Sequence, residues 1–456
     1  MGEVPGVRDG ILRADRAASR ALNRFRDVFY GWRIVAAAFV IHGLSGGLFF
    51  HAFGAYFVFL QNEFGWSRAL IAGAFSLSRL ESGFLGPLQG WLINRFGSRA
   101  CVTVGLVIFA FGFFAFALID NATTFYAAFV AIALGSGLCG FLTINLVLIN
   151  WFERKRSTAI SLAATGGSVA GLMVPLVAWA LSTYGWRTTA IASGVLLLVF
   201  GLPAAQVIRQ APEPHGYLPD GRKSAEGASD GGGGHGAPVT GGTGGFTARQ
   251  ALRTPAFWLL AAGHGLALMS VSSLAAHLIP YLVNQVAMSV ELAATMVAVL
   301  TGASVVIHLI GGFVGDRVNR RFLATACMAG HTAALLVLVA ATDIIGVAIA
   351  VAIQGTAWGF RGPLMTPLRA DYFGRRAMAT LEGWAAMVTT AGLTIGPISV
   401  GVITDRTGDY RIAFLFVAAM AAVGMACFGL AARPKLPVST LPSPLVGAGE
   451  GGGRSA

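Results

Sequence analysis

Placing an ionisable side chain in the middle of a bilayer-spanning helix costs about 2.5–3.5 kcal/mol, so each such residue is a candidate for chemistry. The strongest here is Arg361, in the run Gly359-Phe360-Arg361-Gly362-Pro363. A guanidinium stays charged and can hold a carboxylate through two parallel hydrogen bonds. The flanking glycines permit close approach, and Pro363 predicts a bend that frees carbonyls. The competing role for Arg361 is a salt bridge to a neighbouring helix, through Glu81 or Glu382. Arg79 and Glu81 lie two residues apart in another apolar run, so on a helix their side chains diverge by about 200° and each needs its own partner. Glu81 in a dry setting can carry a proton, or it can be half of a buried ion pair. Glu382 reads as a carboxylate favoured near a helix N-terminus. His308 can take up a proton near neutral pH and present a cation to an anion. His277, like His42, His51 and His264, is either a similar group or an interhelical hydrogen bond. Tyr56, Asn145, Tyr281 and Trp358 can shape a cavity, or simply pack. The histidine spacings put no pair on one helical face, so no metal is expected. No nucleophile–base pair is evident, so no enzyme is expected, and no cofactor motif is present.

These residues need elements to hold them. Across 456 residues the mean hydropathy is +0.70 and only 11% of residues are charged, which excludes an ordinary soluble domain. About 20 apolar residues cross a bilayer as a helix. Twelve segments qualify: 33–60, 68–93, 100–119, 124–150, 158–182, 188–208, 256–285, 292–315, 322–341, 344–368, 378–403 and 411–432. Gly86-Pro87, Pro175, Pro280 and Gly396-Pro397 fall inside them, which lipid-embedded helices tolerate. The predicted class is an all-α integral membrane protein of twelve transmembrane helices. Its parts are a basic arm (1–30), a first six-helix bundle (31–208), a Gly-rich linker (209–254), a second six-helix bundle (255–433) and a disordered tail (434–456).

The net charge of +12 is not a nucleic-acid signature. Of the 32 lysines and arginines, Arg68, Arg187, Arg406 and Arg411 fall in loops on one side and Arg79 and Arg361 within spans; all others fall on the side of the termini. This asymmetry predicts both termini in the cytoplasm of a multi-pass protein of the cytoplasmic membrane. Residues 8–29 alternate arginines with apolar residues at helical spacing, either as an amphipathic helix on the anionic inner leaflet or as a disordered basic arm. Only three lysines occur (Lys155, Lys223, Lys435), and none belongs to a nucleotide-binding glycine loop.

One turn is written twice. Gly90-Trp91-Leu92-Ile93-Asn94-Arg95-Phe96-Gly97-Ser98-Arg99 ends the second segment, and Gly312-Phe313-Val314-Gly315-Asp316-Arg317-Val318-Asn319-Arg320-Arg321 ends the eighth, 222 residues later. Phe152 and Phe373, and Gly171 and Gly392, repeat at an offset of 221. Two similar halves around a shared mid-membrane site are the architecture of a carrier.

The G-x-x-x-[D/N]-R-x-G-x-R turn and its second copy resemble the signature loops of the major facilitator superfamily, with Asn94 where an acid is usual and Asn319 where a glycine is usual. The resemblance implies two pseudo-symmetric bundles, a cavity lined by helices 1, 4, 7 and 10, alternating access, and gating roles for Gly90, Asn94, Arg95, Gly97, Arg99, Gly312, Asp316, Arg317 and Arg321. Tyr30-Gly31-Trp32, Glu63-Phe64-Gly65-Trp66-Ser67-Arg68 and His277-Leu278-Ile279-Pro280-Tyr281 resemble the bacterial monocarboxylate transporter and oxalate/formate antiporter branch. That resemblance implies a carrier of a small organic anion, by proton symport or anion antiport; a monomer is expected. The branch typically has an arginine where this chain has His308. The alternatives are an exporter of hydrophobic or drug-like compounds and a non-transporting membrane receptor with the same fold.

Overall fold

The computed structural model describes residues 29–434 except 85, 154, 222–245, 316, 375 and 376, and it leaves the side chains of 79–87, 94, 156–157, 221, 309, 311–315, 362–363 and 379 undescribed. Among the described residues regular structure is entirely helical. Twelve spans follow one another: α1 (Tyr30–Phe64), α2 (68–96), α3 (Ser98–Ala117), α4 (Ala122–Trp151), α5 (156–184), α6 (Trp186–Val207), α7 (Pro255–Asn284), α8 (Val290–Gly315), α9 (Arg320–Ala340), α10 (Ile344–Phe373), α11 (Met378–Thr407) and α12 (Tyr410–Leu430). Eleven are long and apolar enough by themselves to cross a membrane, and α2 is the twelfth.

Local chemistry sets the ends. Asn121 opens α4 with a capping box, accepting from the Thr124 N–H at 2.9 Å. Asp343 opens α10 by accepting from the Gly346 N–H at 2.8 Å, and Asp409 opens α12 by accepting from the Arg411 N–H at 2.7 Å. Gly65 closes α1 and Gly408 closes α11 in the left-handed conformation, with φ of 64° and 74°. Large apolar side chains such as Phe111, Leu176, Ile345 and Met387 point outward, as a lipid solvent requires.

The neighbour pattern repeats. Helix α1 packs on α5, α2 on α4, α3 on α4 and α6; six helices later α7 packs on α11, α8 on α10, α9 on α10 and α12. Glycine makes the first of these pairs close. A Cβ at Gly166 on α5 would sit 2.2 Å from the Phe39 carbonyl of α1, and one at Gly392 on α11 would sit 2.0 Å from the Gly265 carbonyl of α7. The halves meet through α2 with α11, α5 with α8 and α1 with α7. At the end away from Tyr30 and Leu430, the Asp405 carboxylate of α11 accepts from the Arg68 and Ala69 N–H groups of α2 at 2.9 and 2.8 Å. The Phe57 ring of α1 meets the His277 ring of α7 at 5.2 Å.

Helix α1 is not continuous. Tyr30–Ser45 is α-helical, Gly46–Phe50 is π-helical, His51 and Ala52 form a turn, and Phe53–Phe64 resumes. The segment expected as a Gly-rich linker packs at both ends. Trp151 Nε1 donates to the Arg209 carbonyl at 2.7 Å, Tyr217 stacks near Tyr30, and a short helix Ala248–Leu252 rests on α11. The basic arm up to residue 28, the glycine runs at 231–234 and 241–245, and the tail from 435 lie outside the described residues.

Candidate functional site

Arg361 sits near the middle of α10 and is only 3% exposed. Its Nε makes no hydrogen bond, and its guanidinium makes no ion pair with any described residue. Glycines explain how α10 comes so close to α8. A Cβ at Gly355 would sit 2.1 Å from the Leu300 carbonyl, and one at Gly359 would sit 2.7 Å from the Ser304 carbonyl. The backbone approach delivers Arg361 among polar side chains of three other helices. His264 of α7, His308 of α8, and Cys327 and His331 of α9 are all close enough to couple electrostatically to the guanidinium. His308 Nδ1 donates to the Ser304 carbonyl at 2.8 Å, which leaves Nε2 with its lone pair. His331 Nδ1 bonds Gln354 Oε1 at 3.0 Å, and Gln354 Nε2 donates to Ser270 Oγ at 3.3 Å. Of the two ionic partners considered for Arg361, Glu382 is bonded to another arginine, and Glu81 is among the undescribed side chains.

That arginine is Arg369. Hydropathy alone ends the tenth span at 368 and leaves Arg369 to the following loop. The helix runs on to Phe373, and Arg369 is 3% exposed. It bonds Glu382 Oε2 of α11 and donates to His264 Nδ1 of α7, the latter at 2.8 Å. Tyr372 and Phe373 keep the last turn helical by packing into the core, where Tyr372 donates to the Ala431 carbonyl at 2.7 Å.

Gln354 also lines a cavity between the two halves. Its wall includes Phe50 and His51 at the break in α1, Leu278 of α7, Leu300 of α8, and Gln354 and Trp358 of α10. The room for the centre of a water-sized sphere is about 30 Å³, enough for a water or two and too little for an organic anion in this conformation. The His51 and Trp358 rings face each other across the halves at 6.2 Å.

Other expected residues fall elsewhere. His277 is fully buried, with Nε2 bonded to the Pro397 carbonyl at 2.9 Å. Tyr281 is fully buried too and donates to the Leu338 carbonyl at 2.9 Å. Tyr56 packs inside the first half, its hydroxyl 3.5 Å from Ser193 Oγ. Asn145 on α4 has a buried Oδ1 without a hydrogen bond. Arg79 and Glu81 lie on α2 among the undescribed side chains, as does Asn94, and Gly312 lies on α8 in a similar stretch; Asp316 is outside the described residues.

The two signature turns do the same structural work. Arg99 at the start of α3 donates from Nε to the Ile208 carbonyl just past α6 at 2.9 Å, and Arg321 at the start of α9 donates from Nε to the Phe428 carbonyl near the end of α12 at 3.1 Å. Each cation satisfies carbonyls at the closing end of its own half. Asn319, where a glycine was expected, caps α9 by accepting from the Arg321 and Phe322 N–H groups at 3.0 and 3.3 Å. Gly90 continues α2, Gly97 takes a φ of 83° between α2 and α3, and Arg95 and Arg317 are exposed.

Twelve membrane-spanning helices in two pseudo-symmetric bundles, with a buried cation near the middle of α10, make this an integral membrane transporter fold. The chain belongs to the Major Facilitator Superfamily, whose profile matches residues 35–380 and 260–449. It is 24% identical over 354 residues to the MFS transporter asaE of Aspergillus flavus, covering 75% of this chain and 73% of that protein. It is 25% identical to monocarboxylate transporter 11 of Mus musculus, over 85% of this chain and 84% of that one. The match to monocarboxylate transporter 14 of Mus musculus is 31% identical but covers only 40% of this chain and 36% of that one. Among solved structures it resembles a bacterial homolog of the human lysosomal transporter Spinster (TM-score 0.69, 16% identity, 91% of this chain and 99% of that one). It also resembles the nucleoside transporter NupG (TM-score 0.69, 12% identity, 87% and 99%). Relatives and fold are those of transporters rather than enzymes.

Proposed function

We propose that this protein carries a small organic anion of the monocarboxylate kind across the cytoplasmic membrane, exposing one mid-membrane site alternately to either side. The observation that carries the reading is the Arg361 guanidinium, 3% exposed and without an anionic partner among the described residues. A buried charge in that state costs several kcal/mol, and a carboxylate bound by the fork of two N–H donors removes the cost. His308 supplies a polar wall beside it. The relatives named monocarboxylate transporters support the substrate class. Charge distribution supports both chain ends on the cytoplasmic side.

The test is uptake of radiolabelled pyruvate and lactate into proteoliposomes, by the wild type and by Arg361→Ala. Saturable uptake that the substitution abolishes is the expected result; unchanged uptake affinity and rate in the variant refute it. The apolar and aromatic lining of the cavity between the halves, with Phe50 and Trp358, favours a second reading as an exporter of hydrophobic compounds. Efflux of an amphiphilic dye with no carboxylate uptake decides for that reading.

A further inference from the structure

A recess of about 420 Å³ opens in the second bundle at the end that carries Leu430. The first turn of α9, the last turn of α10 and the segment after α12 converge there. Its wall holds Asn319, Arg320, Arg321, Asp371, Tyr372 and Arg433. Three arginines against one carboxylate leave that wall positive. Asp371 accepts from Arg320 Nη1 at 2.7 Å. Arg321 gives bonds from Nε and Nη2 to the neutral Phe428 and Gly429 carbonyls, which do not cancel its charge. Arg433 is exposed and gives no hydrogen bond or ion pair to any described residue.

The fold does not require this charge. The pseudo-symmetric corner of the first half has Ser98 in place of Arg320, at the offset of 222, and Asn150 in place of Asp371, at the offset of 221. That corner closes on itself: Ser98 is buried, and Asn150 Nδ2 donates to the Gln210 carbonyl at 2.9 Å. Tyr372 repeats the work of Trp151, each bonding a carbonyl just past the last helix of its half. Arg321 repeats the work of Arg99. The shared structural job is complete without Arg320 and Arg433.

The surroundings select the kind of anion. The exposed face of α9 consists of Phe322, Ala326, Ala329, Ala333, Leu336 and Ala340, apolar throughout, and it starts directly after Arg321. Phe322 is 68% exposed, and Leu430 at the end of α12 is 70% exposed. Apolar side chains this exposed belong against acyl chains, which puts the charges just beyond them at headgroup depth. The recess therefore meets the boundary between hydrocarbon and water, where the anion at hand is a lipid phosphate. Guanidiniums hold phosphate oxygens through paired N–H bonds. We propose that the recess binds the headgroup of an anionic phospholipid in the leaflet on this side. Its phosphate lies among Arg320, Arg321 and Arg433, and its chains run along Phe322 and Leu430. The site stands apart from Arg361 and does not rest on the carboxylate reading.

Native mass spectrometry of the detergent-purified full-length protein, titrated with phosphatidylglycerol, phosphatidylcholine or inorganic phosphate, tests this. The wild type is expected to hold one phosphatidylglycerol more tightly than any phosphatidylcholine. Arg433→Gln, which breaks no described contact, should weaken that binding about fivefold, and Arg320→Gln/Arg433→Gln about thirtyfold. Asp371→Asn removes the opposing charge and should tighten it about fivefold, a gain that misfolding does not mimic. Arg249→Gln/Arg253→Gln removes two exposed cations at the same end but outside the recess, and should leave the binding unchanged. Equal weakening in that control, or phosphatidylglycerol held as tightly by Arg320→Gln/Arg433→Gln as by the wild type, overturns the proposal. So does phosphatidylcholine held as tightly as phosphatidylglycerol. Inorganic phosphate that displaces phosphatidylglycerol at equal concentration assigns the recess to a soluble phosphate and overturns the lipid.

Discussion

Replacing Arg361 with methionine should change stability and binding in opposite directions. The guanidinium is 3% exposed with an unsatisfied Nε, so the empty protein carries an uncompensated desolvation cost. Methionine keeps the length and apolar stem without the charge, and should stabilise the empty carrier by about 1–3 kcal/mol. The same change deletes two charge-assisted hydrogen bonds to a bound carboxylate, each contributing about 1.5–3 kcal/mol. A loss of about 3–6 kcal/mol in binding corresponds to an affinity lower by about two to four powers of ten. Thermal unfolding of detergent-purified protein, with and without pyruvate, reads both effects. The midpoint of the empty variant should rise, and the upward shift given by pyruvate to the wild type should vanish. Arg361→Lys keeps the charge but loses the fork, and should fall between the two. A variant that melts lower than the wild type yet binds pyruvate as tightly would show that Arg361 only locks helices together.

Four further outcomes follow from the packing. Asp405→Ala removes the cap that α11 places on the first turn of α2, a contact of about 0.5–2 kcal/mol, so amide exchange at Arg68 and Ala69 should quicken by about two- to thirty-fold; unchanged protection refutes the contact. Gly392→Val forces a side chain onto the Gly265 backbone, where nothing can give, and should lower the unfolding midpoint by the equivalent of about 3 kcal/mol. Gly383→Ala on the same helix meets nothing within 4 Å and should be neutral or stabilising by up to about 1 kcal/mol, so equal effects at the two glycines contradict the packing. Gln354→Leu strands His331 Nδ1 and Ser270 Oγ and should cost about 1–3 kcal/mol in thermal or denaturant unfolding.

The architecture was legible because its signals are local. Apolar length marks each span, and the glycine–arginine turns after α2 and α8 mark the duplication. Arg361 stood out because nothing ionisable surrounds it in sequence. Arg369 did not, because hydropathy falls at Arg369-Ala370-Asp371 before the helix does. Only the burial of Tyr372 and Phe373, a tertiary fact, carries α10 through that stretch. His331 was passed over because α9 is not among the helices expected to line a cavity. Gln354, its partner, sits 23 residues away on α10. His277 and Tyr281 looked like cavity residues by position, but their partners, Pro397 and Leu338, lie 120 and 57 residues away, beyond the reach of any periodic pattern.

The interruption in α1 lets one span serve two masters. Its first stretch, Tyr30–Ser45, is bound to α5 in its own half, while its last, Phe53–Phe64, lies against α7 of the opposite half. Between them, the widened π turn lacks the regular ladder that would make the span a single stiff rod. The two stretches are therefore held by different halves, with no continuous α-helical ladder joining them. His51 sits at that junction, its ring facing Trp358 of the opposite half, so the interruption in the span coincides with the seam between the halves.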